Sequence, residues 1–276
     1  MQLVCGTTAY DLGRPYLMGV LNVTPDSFSD GGKFYEPSEA VEQGLRMAEE
    51  GADFIDVGGE STRPGSDPVQ IREELRRVLP IVAELSSRLA NPISVDTYKS
   101  EVAREAVAAG AQIINDITGL RGDPAMAGVV AELGTPVVLM HIKGTPKTMQ
   151  QNPHYDVLIG EIKAYLAESA EIALGAGVDR RKIVLDPGIG FGKTFPDNFR
   201  IIKHLREFTT LGYPILVGAS RKSFLSNDRT YEVDERLEQS LAAAAIAVLH
   251  GANIIRTHDV AATKKAVWVA QQMLSG

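Results

Sequence analysis

At 276 residues, 44% of them hydrophobic and 23% charged, the chain can bury a large core and has the composition of a soluble globular protein. Its formal net charge of -7 argues against a general nucleic-acid binder, which needs clustered basic surface, while leaving room for a small anionic substrate in a locally basic pocket. Cys5 is the only cysteine, which excludes an intramolecular disulfide and any thiolate metal cluster.

The opening, MQLVCGTTAYDLGRPY, lacks a basic segment followed by an apolar run and does not read as a secretory leader. The longest apolar stretch, residues 241–249, is too short to span a bilayer. The expectations are a cytoplasmic, reducing home, no membrane and no nucleic acid as partner.

Short runs rich in Val, Ile and Leu recur along the chain and predict strands over 16–23, 54–57, 93–95, 113–115, 137–140, 183–185, 215–217 and 254–256. Their shortness and two-sided apolarity suit parallel strands buried on both faces. Helical periodicity fills the gaps. Val41, Leu45 and Ala48 form one stripe, with Ser38 as N-cap candidate and Gly51 as stop. Ile71, Leu75, Val78, Val82 and Leu85 form a second, with Pro80 a candidate kink or break. Val102, Ala106 and Ala109 form a third before Gly110. Eight strands alternating with helices favour an α/β fold of the closed (β/α)8 TIM-barrel type, with an open doubly wound sheet as competitor. No low-complexity linker interrupts the pattern, so residues 1–276 read as a single domain.

Polar residues cluster just past the strands: Asn22, the run GGESTRPG from Gly58, Asp96, Asn115-Asp116, His141, the run DPGIG from Asp186, Ser220-Arg221-Lys222-Ser223, and Arg256 with His258-Asp259. In a barrel all of these meet at the C-terminal mouth, where active sites sit. Each has an ordinary alternative. Asp96 can cap the helix that starts near Lys99. Asn115-Asp116 can form an Asx turn. Asp186-Pro-Gly can be turn chemistry, and Arg256 with His258 a surface ion-pair element. Delivery of such groups by independent strands is what favours a site. The Gly-rich run from Asp186 to Thr194 fails the P-loop template, because Pro187 stands where the first glycine belongs. It also fails G-x-G-x-x-G, because Lys193 takes the third glycine position. Its glycines instead suit close backbone approach to a flat ligand.

In these blocks the chain resembles the dihydropteroate synthases, a family of pterin-binding TIM barrels. The likeness runs from Leu17 to about Val260 through NVTPDSFSDGGK, GGESTRPGS, SVDTYKSE, INDITGLR, LMHIKGTPKTMQQ, LDPGIGFGKT, VGASRKSFL and IRTHDV, in order. One departure is Thr257, where valine is commoner in the family; residues 226–235 also vary and carry little weight.

The resemblance implies condensation of 6-hydroxymethyl-7,8-dihydropterin pyrophosphate with p-aminobenzoate, by an SN1-like route, in folate biosynthesis. It implies pterin contacts at Asp96, Asn115, Met140, Asp186, Phe191, Gly218 and Lys222. Asp186 would accept the amino-pyrimidinone edge, Asn115 would meet its mixed edge, and Met140 and Phe191 would cover the ring faces. It implies a pyrophosphate site of Asn22, Thr62, Arg63, Arg256 and His258, with Mg2+ held by Asn22. Phe28, Arg63, Pro64, Phe191, Ser220, Arg221 and Ser223 would bind p-aminobenzoate, and Asp30 would steady the cation. Loops 24–35 and 61–67 would close over the site. Sulfonamides would compete with p-aminobenzoate, and a homodimer is expected, with residues 242–248 either at its interface or facing the barrel. Three other readings remain at this point. A pterin-binding methyltransferase that serves a corrinoid protein uses Asp96, Asn115 and Asp186 equally well but needs no diphosphate set. A non-catalytic pterin carrier and a sugar-phosphate barrel are the others.

Overall fold

The computed structural model describes residues 1–24, 37–226 and 231–275. Eight strands run parallel in one sheet: β3 (Tyr16–Asn22), β4 (Phe54–Gly58), β5 (Ile93–Asp96), β6 (Ile113–Asp116), β7 (Val137–Met140), β8 (Ile183–Asp186), β9 (Leu216–Val217) and β10 (Ile254–Thr257). Their order is β8-β7-β6-β5-β4-β3-β10-β9, and a parallel bridge between Leu185 and Ile215 brings β8 beside β9. The result is a nearly closed barrel, not the open sheet. All eight expected strands are found, with ends within one residue of expectation.

The strands are joined by α1 (Pro37–Glu50), α2 (Ile71–Arg88), α3 (Ser100–Ala108), α4 (Met126–Leu133), α5 (Leu158–Gly175), α6 (Phe195–Lys203), α7 (Arg206–Thr209) and α8 (Leu237–Leu249), and α9 (Val260–Ser275) follows β10. Two local expectations are corrected. Ser38 lies inside α1 instead of capping it, because the helix already begins at Pro37. Pro80 does not break α2, which runs on to Arg88. α6 starts with a reciprocal capping box between Thr194 and Asp197. In α8, Ala243, Ala244 and Ala247 turn inward, whereas Ile246 is exposed.

Side chains alternate along each strand, so Ile55, Val57, Val95, Ile114, Leu139 and Leu185 pack outward against the helices. The opposite set, with Met18, Phe54, Ile113, Val138, Val184, Leu216 and Ile254, fills the barrel interior. Each fully buried aliphatic side chain of this kind contributes about 2 kcal/mol by leaving water. An N-terminal hairpin that the sequence reading did not assign, β1 (Gln2–Cys5) and β2 (Thr8–Asp11), adds Leu3 and Cys5 to the same cluster. That plug fills one end of the barrel. Two residues further along, β4, β6, β8 and β10 turn polar at Asp56, Asn115, Asp186 and Arg256.

Candidate active site

Strand register places the polar layer. Asn22 pairs with Gly58, Gly58 with Asp96, and Asp96 with Asn115, so four consecutive strands carry one row of neighbours. Met140 pairs with Asp186 on the adjoining strands. Asp56, Asp96, Asn115, Met140 and Asp186 are all buried.

Asp56 organises the floor of this cup, and the sequence reading missed it. Its Oδ2 accepts from Arg256 Nε at 2.6 Å and from Asn115 Nδ2 at 3.0 Å, while its buried Oδ1 has no hydrogen-bond partner among the described residues. The only sequence signal was a carboxylate in the middle of the apolar strand FIDVG. Arg256 Nη2 also donates to Asp96 Oδ2 at 2.8 Å. Burial works against the Arg256 charge, but Asp56 and Asp96 outweigh it and raise its pKa. Burial pushes the Asp96 carboxyl up to about 7 against the pull of Arg256, with Asp56 adding to the rise.

The ordinary alternatives resolve separately. Asp96 does not cap α3, since its carboxylate is bonded to Arg256 and the α3 cap position, Lys99, makes no side-chain cap. Asp116 does form an Asx turn, accepting from the Thr118 and Leu120 amides, which leaves Asn115 for the cup. Asp186 Oδ1 takes the Gly188 amide at 2.7 Å, so turn chemistry and site position coexist. Burial raises the Asp186 pKa while Lys222 pulls it down. Burial lowers Lys222 to about 8, with Asp186 resisting. The Lys222 ammonium donates to the Ile189 carbonyl and lies 4.6 Å from the centre of the Phe191 ring. Phe191 and Met140 share a small apolar cluster with Ile117, Ile142 and Met149. Gly218 follows β9, where an added Cβ would come 3.6 Å from Arg256 Cβ.

Beside the cup, His258 donates its backbone N–H to Ser220 Oγ at 3.2 Å, and its Nδ1 lies 3.1 Å from the same oxygen. Burial and then Arg256 bring His258 down to about 3, so it enters neutral and offers a hydrogen bond instead of a charge. Arg221 holds Asp259 through Nε at 2.9 Å and Nη2 at 2.5 Å, and its φ of 58° is in the left-handed region. Asp259 thus holds two of its three guanidinium nitrogens. Ser223 is exposed at the start of a 3-10 turn.

Arg63 and Pro64 are exposed and Thr62 is half-buried on the loop after β4. That loop is fastened to the one after β7: Gly65 N donates to Pro146 O at 3.0 Å, and Lys147 pairs with Asp67 at 2.6 Å. At its base, Lys99 joins the buried Glu60 and Glu74 carboxylates. Phe28 and Asp30 lie outside the described residues, as does all of loop 24–35 except Thr24.

A parallel barrel with carboxylates, an amide and a lysine around one cup at its strand ends defines an enzyme site for a flat heterocycle rich in hydrogen-bonding edges. The family model described as "Pterin binding enzyme" matches residues 18–258. The chain belongs to this family of pterin-binding enzymes, and within it to the dihydropteroate synthases. It is 47% identical to the dihydropteroate synthase of Escherichia coli (strain K12), over 100% of this chain and 97% of that one. A Yersinia pestis dihydropteroate synthase in complex with a sulfonamide drug is 43% identical with a TM-score of 0.94, covering 100% of this chain and 99% of that chain. Xanthomonas albilineans dihydropteroate synthase with 4-aminobenzoic acid is 46% identical with a TM-score of 0.93, covering 100% and 98%.

Proposed function

We propose that this chain condenses 6-hydroxymethyl-7,8-dihydropterin pyrophosphate with p-aminobenzoate to give 7,8-dihydropteroate and pyrophosphate, acting as one domain. The observation that carries the site assignment is Arg256 held between Asp56 and Asp96, beside the cup that Asn115, Asp186 and Lys222 complete. A cation anchored at the edge of a heterocycle cup is suited to a substrate whose reactive methylene joins a flat ring to a diphosphate.

In this reading Asp186 accepts the two adjacent donors of the amino-pyrimidinone edge. Asn115 meets the mixed edge, Asp96 takes a ring N–H, and Lys222 donates to the carbonyl side. Met140 and Phe191 cover the ring faces. Arg256, His258, Arg63 and Thr62 receive the diphosphate. The C–O bond to the diphosphate breaks first, its electron pair leaving with oxygen, and the electron-rich dihydropterin ring delocalises the methylene cation. The neutral aryl amine then forms the C–N bond and releases a proton. No strong base is needed, so the protein's tasks are to stabilise the leaving group, orient the ring and exclude water. Phe28, Pro64 and Phe191 would wall the p-aminobenzoate pocket, with Ser223, assisted by Ser220 and Arg221, at its carboxylate and Asp30 near the cation.

Asn22 offers an amide oxygen near the Asp96 carboxylate, and both lie within 4 Å of where a Gly58 Cβ would stand. No cluster of three His, Cys, Asp or Glu suited to a metal occurs among the described residues. That donor set fits Mg2+ taking Asn22 and completing its shell with diphosphate and water oxygens, and does not fit a zinc cage. When bound, Mg2+ would neutralise leaving-group charge.

No helix among the described residues is long and apolar enough to cross a membrane. We place the enzyme in the cytoplasm, as a homodimer whose contact would use the exposed Ile246, Trp268, Val269 and Met273 of α8 and α9. The deciding experiment is pyrophosphate release from dihydropterin pyrophosphate with Mg2+ and p-aminobenzoate, with Asp186→Asn as control. Release that requires p-aminobenzoate, yields dihydropteroate and collapses in the variant is expected. Pterin binding without release would favour a carrier or methyltransferase, and no pterin binding would overturn the assignment.

A further inference from the structure

Lys193 belongs to the Gly-rich run that matches no nucleotide motif, and the reaction described above gives it no role. Its side chain is only 1% exposed. The ammonium donates to Gly188 O at 2.7 Å and His141 O at 3.2 Å, and lies 2.8 Å from His141 Nδ1. Three acceptors match the three hydrogens of an ammonium. Among the described residues Lys193 makes no direct ion pair; burial pushes its pKa well below the ordinary lysine value, and the more distant Asp186 and Asp197 carboxylates only partly oppose that cost. An apolar residue of the same length would fill the volume without that cost.

The acceptors belong to two different loops. His141 directly follows Met140 at the end of β7, and Gly188 lies two residues past Asp186 at the end of β8. The loops touch backbone to backbone: an added Cβ on Gly188 would land on the His141 carbonyl oxygen, and one on Gly192 on the Lys143 carbonyl oxygen. Gly188 is held at both of its backbone polar groups, its carbonyl by Lys193 and its N–H by Asp186 Oδ1. The next carbonyl, Ile189 O, receives the Lys222 ammonium. One buried amine is therefore bonded to the residue whose N–H sets the Asp186 carboxylate, and lies one residue from the acceptor that holds Lys222.

We propose that Lys193 is a positioning residue of the pterin cup, tying the loop that carries Asp186, Ile189 and Phe191 to the loop that begins at His141. This rests on the pterin reading of the cup. Lys193 touches none of Arg63, Arg256 and His258, so its influence belongs to the pterin side of the site and not to the diphosphate side.

The test compares wild type with Lys193→Met by calorimetric titration with 6-hydroxymethyl-7,8-dihydropterin and, separately, with inorganic pyrophosphate and Mg2+. Displacing Asp186 and Lys222 from their seats should weaken pterin binding on the order of 10- to 100-fold and leave pyrophosphate binding within about twofold. If Lys193→Met does not fold, His141→Phe serves. It removes one acceptor and keeps a ring against Tyr165, 4.6 Å between centroids, and should weaken pterin selectively but less. A folded Lys193→Met that binds pterin as wild type does would overturn the proposal. So would equal loss of both ligands in either variant, because a general loosening of the barrel acts on both. Failure of the wild-type chain to bind pterin would overturn the underlying reading of the cup.

Discussion

Asp56 and Arg256 meet across the barrel interior, from β4 and β10, with Nε 2.6 Å from Oδ2. Asp56 is fully buried and the Arg256 side chain 19% exposed, so the pair is shielded from screening. Asp56 also fixes the Asn115 amide, with Nδ2 directed to the carboxylate. One carboxylate thus aims both an amide of the pterin cup and a cation at its edge.

Asp56→Ala should therefore do two things. It leaves Arg256 with Asp96 alone, which should lower stability by about 3 kcal/mol, as for a buried pair losing one partner. It also frees Asn115 to rotate, so KM for dihydropterin pyrophosphate should rise. Urea unfolding and steady-state kinetics check the two effects, and unchanged values in both would contradict this role.

The pH dependence follows from Asp96 and Lys222. Burial places Asp96 at about 7 and Lys222 at about 8. As pH falls below the first value the carboxylate takes a proton and loses its power to accept from the ring. As pH rises above the second value the ammonium loses a proton and with it its charge. kcat/KM for dihydropterin pyrophosphate, which reports the free enzyme, should be bell-shaped with a narrow top between the two. Lys222→Arg should remove the alkaline limb. A flat profile from about pH 6 to about pH 9 would count against these assignments.

Two glycines with left-handed backbone separate strain from clash. Gly65 has φ +85° and nothing among the described residues within 4 Å of an added Cβ, whereas Gly188 has φ +69° with the His141 carbonyl in the way. Gly65→Ala should cost about 1 kcal/mol of conformational strain and leave the fold intact. Gly188→Ala must in addition push the β7 and β8 loops apart and should abolish pterin binding. Thermal melts with pterin titration distinguish the two.

Sulfonamides should compete with p-aminobenzoate, an expectation that rests on Phe28 and Pro64 and on the complex of the Yersinia pestis relative. Inhibition should be relieved by raising p-aminobenzoate at fixed drug. Undiminished turnover at saturating sulfonamide and low p-aminobenzoate would refute it.

The barrel was legible because its strands are short, largely apolar runs followed by polar residues, and β5, β6 and β8, each ending in an aspartate, carry that signature plainly. The β1–β2 hairpin was not, since QLVC and TAYD are too short for periodicity to distinguish from loop. Of the cup, Asp96, Asn115, Asp186 and Lys222 could be named from the sequence because a polar residue just past a barrel strand faces the mouth. Asp56 and Lys193 escaped for opposite reasons. Asp56 sits inside a strand, where a carboxylate has no sequence partner to announce it, and its partners Asn115 and Arg256 are 59 and 200 residues away. Lys193 sits in a run whose glycines pointed toward a ligand, when its own bonds go back into the protein.

The sequence by itself determined the alternation of strands and helices, the family, and which residue types arrive at the barrel mouth, because these depend on local periodicity and on residues next to one another in the chain. Only the tertiary structure decided which charges neutralise which: Arg256 with Asp56 and Asp96, Arg221 with Asp259, and Lys193 with carbonyls and a ring nitrogen instead of a carboxylate. The reason is physical. Pairing energy depends on distance and on burial, and barrel closure sets both by bringing strands from opposite ends of the chain within a few ångströms in a site shielded from water.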